Sequence, residues 1–164
     1  IDFLVVCTES PGFAVFDTVN AACLESGTRW MRVAIEGTTA LLGPTIVPHQ
    51  TACYTCYDRR VRSNVPDLDG FLAYRHLVAN SEDGFDEGAL TSLWSIVSGQ
   101  VALEVARICT GFAPPTTFGR FYELRAVTPM TVGHDVLRLP RCPSCRPGAP
   151  PREAWELALG ADPA

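Results

Sequence analysis

The sequence predicts an α/β fold: a mixed sheet with flanking helices, clamped by a structural zinc site of four cysteines. Three observations predict it. The first is a near-continuous apolar run, Ile1-Asp2-Phe3-Leu4-Val5-Val6-Cys7, of the kind that forms a buried parallel strand. The second is a set of helix-spaced apolar residues followed by another strand-like run. Such a strand–helix–strand unit gives a parallel pair joined by a right-handed crossover. The third is two C-x-x-C pairs, Cys53-Tyr54-Thr55-Cys56 and Cys142-Pro143-Ser144-Cys145. Their four thiolates fill a tetrahedral zinc site and leave no position for water, so the metal is expected to be structural rather than catalytic.

The elements follow in order. Thr8-Glu9-Ser10-Pro11-Gly12 is a turn at the carboxyl end of the first strand, with Ser10 placed as a helix N-cap and Pro11 at the first helical position. Phe13, Phe16, Val19, Ala22 and Cys23 recur at helical spacing up to Gly27, a C-cap residue. Trp30 to Ile35 reads as the second strand, and Gly37 to Val47 as a further strand or hairpin leading into the first cysteine pair. Residues 58–89 turn polar, rich in Arg, Asp, Asn and Gly. They read as a long connection or flexible insertion with a short helix around Phe71 to Val78. From Leu90 to Cys109 the helical pattern returns, with Leu93, Trp94, Val97, Val101, Val105 and Ile108 on one face. Gly111 and Pro114-Pro115 end it. Phe118 to Ala126 and Thr131 to Leu139 alternate as a hairpin around Thr128-Pro129-Met130. The second cysteine pair closes a domain spanning 1–146. Residues 147–164 form a Pro-rich C-terminal tail, with one or two helical turns expected from Glu153 to Leu159. The chain opens on Ile1, directly on a strand, so an upstream part of the domain is expected.

Composition bounds the function. The 164 residues are 47 % hydrophobic with a mean hydropathy of +0.12, enough to bury a real core. A net charge of −5 argues against non-specific nucleic-acid binding. All 13 basic residues are arginine, which excludes a Schiff base or a P-loop lysine from this chain and hints at a GC-rich bacterial genome. No apolar run is long enough to span a membrane. Four of the seven cysteines fall in the two pairs, while Cys7, Cys23 and Cys109 sit in apolar runs. Core thiols beside a metal site fit a reducing cytoplasm.

Several candidate residues carry more than one reading. Both cysteine pairs stand in loop-like contexts and neither opens a thioredoxin-like helix, which weighs against a redox dithiol. Glu9 lies where open α/β sheets bind ligands and is a candidate for a nucleotide or its metal; an ordinary strand-to-helix turn is the plainer alternative. Arg59, Arg60 and Arg62, with Asn64, form a basic patch able to grip a phosphate or carboxylate of a substrate or partner, or simply a solvated loop. His49, four residues before Cys53, is an alternative zinc ligand. His76 and His134 complete no catalytic arrangement. Cys7 and Cys23 are expected in the core.

Taken in order, the segments "LVVCTESPGF", "VNAAC", "PHQTACYTC", "LWSIVSGQVALEVARICTG" and "LPRCPSC" resemble the second half of the ThiF/MoeB superfamily of ubiquitin-activating-type adenylating proteins. The resemblance covers residues 2 to about 146 and implies the C-terminal part of a ThiF-like Rossmann-type domain, with its glycine-rich nucleotide loop before residue 1. It also implies a zinc held by the four paired cysteines, and a homodimer. The stretch "GPTIVPHQTACYTCYDRRVRSN" further resembles the ThiF-like component of azoline-forming cyclodehydratases of thiazole/oxazole-modified peptide (bacteriocin) biosynthesis. That branch implies a scaffold that delivers a precursor peptide to a YcaO partner. The partner uses ATP to activate the backbone amide so that Cys, Ser or Thr side chains close into rings. Two departures favour this branch over an active adenylating enzyme with ATP and magnesium. Active members carry Asp-Asn after the strand's Cys-Thr and an arginine on the next helix; this chain has Glu9-Ser10 and Phe16 there. Thioester-forming members need a cysteine between the long connection and the next helix, and residues 57–108 contain none. A zinc-stabilised interaction module is a third reading.

Overall fold

A computed structural model describes residues 1–9, 11–80, 88–128 and 130–146. Five strands form one sheet in sequence order, β1 (Phe3–Thr8), β2 (Arg29–Glu36), β3 (Thr39–Ile46), β4 (Arg120–Arg125) and β5 (Met130–Asp135). β1 and β2 are parallel, from Phe3 opposite Arg29 to Thr8 opposite Ala34. The other three neighbours pair antiparallel, so the sheet is mixed as expected.

β2 is the centre of the core because both of its faces are covered. Period-2 alternation sends Trp30 and Ala34 to one side and Met31, Val33 and Ile35 to the other, all fully buried. The first side packs on α1 (Phe13–Ser26) and α2 (Tyr54–Asn64), with both cysteine knuckles in the same cluster. The second packs on Leu93 and Val97 of α4 (Thr91–Thr110), flanked by Trp94, Val101 and Val105. Each such aliphatic side chain contributes about 1.5–3 kcal/mol when buried. α1 and α4 end at Gly27 and Gly111, whose φ of 73° and 68° are the left-handed geometry that glycine supplies at a helix end.

Three expectations change. α1 begins later than read: its N-cap is Gly12, whose carbonyl accepts from Phe16 N–H at 2.9 Å, so Pro11 precedes the helix instead of opening it. Ser10 lies outside the described residues. The polar stretch 58–89 carries more helix than its composition suggests. α2 runs on to Asn64, and α3 covers Leu68–Ala79. Their polar faces are held by ion pairs between distant residues, which local hydropathy does not register. Cys23 is buried, but Cys7 is exposed. It follows Phe3 and Val5 on the α4 face of β1, an edge strand whose covered part stops short of it. The closing hairpin is present with shorter strands than the alternation marks; Pro129 of its turn and the tail 147–164 lie outside the described residues. Among the described residues no helix is long and apolar enough to cross a membrane.

Candidate functional site

The first cysteine pair follows a tight turn built by its own residues. Val47 carbonyl accepts from Gln50 and Thr51 N–H at 3.0 Å each, and Thr51 Oγ1 accepts from Val47 N–H at 2.9 Å. His49 takes a left-handed φ of 64° in this turn. Cys53 is then the N-cap of α2, and its carbonyl accepts from Tyr57 N–H at 3.1 Å. The pair therefore does open a helix, contrary to its loop-like reading. A free N–H at that helix start is satisfied from α1: Tyr54 N–H donates to Asn20 Oδ1 at 2.9 Å. The second pair lies in a turn after β5, where Arg146 N–H donates to Cys142 carbonyl at 3.0 Å. The middle residues of the two knuckles also touch, Thr55 Oγ1 to Ser144 Oγ at 2.8 Å. Arg138 Nη1 donates to His49 carbonyl at 2.8 Å, tying the strand exit to the first turn.

All four sulfurs are buried and lie within 4.8 Å of one another. Cys53 Sγ is 3.8 Å from Cys56 Sγ and 3.6 Å from Cys142 Sγ, and Cys56 Sγ is 3.7 Å from Cys145 Sγ. A tetrahedron with Zn–S bonds of about 2.3 Å has edges of about 3.8 Å, so the sulfur spacing fits a zinc-sized ion. It is far too long for disulfides. The hydrogen bond with Cys53 draws the Cys56 thiol down to about 4, against the opposing effect of burial, and Leu139 N–H donates to the same sulfur at 3.4 Å. Cys53 is pushed up by the same hydrogen bond, and Cys145 is pushed up by burial. A cation at the centre favours the thiolate at every corner. His49 is exposed and stands outside this cluster.

The other predicted site residues are not gathered there. Glu9 is exposed just beyond the carboxyl end of β1. Arg59, Arg62 and Asn64 lie on α2, not on a loop. Arg62 is paired with Asp58 at 2.6 Å, Asn64 Nδ2 donates to Arg60 carbonyl at 2.9 Å, and Arg59 is exposed. Phe16 is wholly buried, stacked on Trp30 with ring centroids 6.2 Å apart and tilted against Tyr54 at 5.4 Å. Three buried charges went unread in the sequence, and one of them, Asp58 on α2, is paired with Arg62 and Arg75. Glu104, on α4, accepts hydrogen bonds from the segment after Pro115. Arg32, on β2, stacks over the rings of Phe16 and Tyr57 at 4.8 and 5.0 Å. A polar residue inside the apolar run of β2 was the available signal for Arg32.

Comparison with known proteins gives a consistent placement. Residues 1–146 match the model of the ThiF family. Among solved structures, Escherichia coli MccB superposes with a TM-score of 0.69 at 18 % identity, over 93 % of this chain and 41 % of that one. The heterocyclase TruD superposes with a TM-score of 0.64 at 26 % identity, over 89 % of this chain and 22 % of that one. A heterocyclase in complex with substrate and cofactor gives 0.71 at 22 % identity, over 89 % and 21 %. The chain thus spans less than half the length of each of these proteins. No curated protein matches it significantly.

Proposed function

The chain belongs to the ThiF family, and from that membership we propose that it is a scaffold subunit of a peptide-modifying cyclodehydratase. It presents a ribosomal precursor peptide to an ATP-using YcaO partner in a bacterial cytoplasm, and the partner closes the azoline rings. Zinc at Cys53, Cys56, Cys142 and Cys145 is structural, and the exposed Arg59 on α2 is a contact for peptide or partner.

Phe16 carries the proposal. The resemblance sets it where active adenylating members have a phosphate-facing arginine, and here the position is a wholly buried aromatic wedged against Trp30 and Tyr54. A phenyl ring offers no hydrogen bond to a phosphate, and a guanidinium forced into that apolar site would lose its hydration. The likeness to TruD and to a second heterocyclase agrees with this reading. A working adenylating enzyme is the second reading, favoured by the exposure of Glu9 at the carboxyl end of a parallel strand, the usual ligand side of an open sheet.

Pyrophosphate exchange on the full-length protein separates the two. The scaffold is expected to give no ATP-dependent exchange alone, and to stimulate loss of water from a precursor peptide when its YcaO partner and ATP are added. Robust exchange without a partner overturns the scaffold reading.

A further inference from the structure

A cavity of about 430 Å³ opens between α1, α2, α3 and the α1 face of the sheet, with no cysteine among its described lining residues. Its walls are largely aromatic, with Phe13, Tyr57, Phe71 and Phe121 among them. Three carboxylates from three elements line it as well: Glu36 at the end of β2, Asp58 on α2 and Glu123 on β4. Arg32 is the only cation among the described lining residues, and it offers the cavity no donor. Its side chain is 3 % exposed, Nη2 donates to Glu36 at 3.2 Å, and Nε and Nη1 are closed off from solvent.

The lining is therefore net negative. Asp58 is held by Arg62 at 2.6 Å and by Arg75 at 2.5 Å, and Glu123 by Arg125 at 2.7 Å, but none of these arginines lines the cavity. Arg125 is more than half exposed, so water screens it from a charge inside. The carboxylates also converge. Burial pushes the Tyr57 hydroxyl up; Arg32 opposes the rise, and the fields of Glu36, Asp58 and Glu123 all add to it. Low-dielectric walls of one sign focus the potential inside a cleft. The rings act in the same direction, because the face of an aromatic ring is its negative side. Arg75 already displays this combination at the edge of the cavity. Its guanidinium lies 4.1 Å over the Phe13 ring and 5.9 Å from that of Phe71 while it pairs with Asp58.

We propose that this cavity is a binding site for an amine cation carried on an apolar body, whose ammonium pairs with the lining carboxylates while its body packs on the rings. The acids select positive charge and repel an anion. An ionised carboxylate has about four acceptor positions, so an arginine partner outside the cavity leaves room for an ammonium within it. The aromatic walls select the apolar body. The site does not depend on the scaffold reading, and its test needs neither peptide nor YcaO partner.

Phenethylamine, phenethyl alcohol, phenylacetate and methylamine are titrated into the full-length protein at neutral pH and low salt, followed by calorimetry. Phenethylamine is expected to bind as its ammonium form. The alcohol has no charge, phenylacetate the wrong charge and methylamine no body, so each is expected to bind at least about tenfold more weakly. Glu123→Gln removes one lining charge at a partly exposed position. It should weaken phenethylamine about three- to tenfold and leave the alcohol unchanged. Val61→Phe keeps all three carboxylates but fills the cavity from α2, and binding should disappear with the far-UV spectrum unchanged. It decides the question even if Glu123→Gln does not fold. No binding of phenethylamine means the cavity holds only water and overturns the proposal. Binding of the alcohol, phenylacetate or methylamine as tight as that of phenethylamine, or undiminished phenethylamine binding by either variant, overturns it as well.

Discussion

Glu104, on α4, is 1 % exposed, and both of its carboxylate oxygens accept hydrogen bonds. Oε1 accepts from Thr116 N–H at 2.6 Å, Thr117 N–H at 2.7 Å and Thr117 Oγ1 at 2.8 Å. Oε2 accepts from Arg107 Nη1 at 2.9 Å and Thr116 Oγ1 at 3.1 Å. Thr117 Oγ1 in turn lies 2.6 Å from Thr45 Oγ1, and since Thr117 spends its proton on Glu104, Thr45 must donate. One carboxylate therefore fastens the segment between α4 and β4 to both neighbours. Glu104→Ala strips three donors at Oε1 at once and should cost about 3 kcal/mol or more in a denaturant titration. Glu104→Gln keeps a carbonyl for those donors and loses mainly the Arg107 pair, so about 1–2 kcal/mol is expected. Burial would raise the Glu104 pKa, but hydrogen bonds led by those from Thr117 and Arg107 outweigh it and hold the carboxyl below its ordinary value. The folded pKa lies below the unfolded one. The contribution is therefore complete above about pH 4.3, the ordinary glutamate value, and is lost as pH falls through the lower folded value. A plot of stability against pH should drop less steeply in acid for Glu104→Gln than for the parent; equal slopes would remove Glu104 as the cause.

α3 shows how an element can stand without a buried residue of its own. It is started by Asp67, whose Oδ1 accepts from Gly70 N–H at 3.0 Å. It is moored by Arg75, which reaches Asp58 on α2 at 2.5 Å and Asp17 on α1 at 3.7 Å and lies 4.1 Å over the Phe13 ring. Asp67→Ala should cost about 1 kcal/mol through the lost cap. Arg75→Met should cost about 1–3 kcal/mol, with Asp58 still held by Arg62. Hydrogen exchange would place the loss: α3 amides should exchange faster in both variants while those of α4 do not change. Equal acceleration in α4 would mean that α3 is part of the global unfolding unit. This mooring is why α3 was only partly legible. Helices that bury an apolar stripe, α1 and α4, announce themselves by spacing and by Gly27 and Gly111. A helix held by residues 17, 58 and 75 does not, because the partners are scattered along the chain. Glu104 was missed for the same reason, its donors coming after the Pro114-Pro115 turn. The cysteine knuckles were readable because the C-x-x-C spacing is itself the ligand geometry. Arg32 was not, because the rings it stacks on, Phe16 and Tyr57, come from two other elements of the chain.

At the scale of the molecule, the four cysteines join residues 89 positions apart, Cys53 with Cys142 and Cys56 with Cys145. They belong to the same cluster as Phe16, Trp30 and Tyr54, so the clamp is continuous with the core on the α1 face. The α4 face, with Met31, Val33, Ile35, Leu93 and Val97, forms a separate cluster that contains no ligand. Structural zinc in finger peptides binds with an apparent free energy of about 10–16 kcal/mol, comparable to the about 5–15 kcal/mol that stabilises a whole domain. Without metal, four buried thiols bring no such term, and thiolates placed this close repel. We therefore expect one zinc per chain by metal analysis, and loss of both metal and cooperative unfolding in Cys53→Ser combined with Cys142→Ser. The two faces should respond unequally. Near-ultraviolet signals from Trp30 and Tyr54 should collapse, while Trp94, packed against the α4 face, should keep part of its protection. Chelation of the parent protein should reproduce the same order of loss and be reversed by added zinc. A double variant that retains its full metal content would place the ion elsewhere. One that loses the metal yet unfolds as cooperatively as the parent would make the cluster an ornament on the fold rather than its clamp.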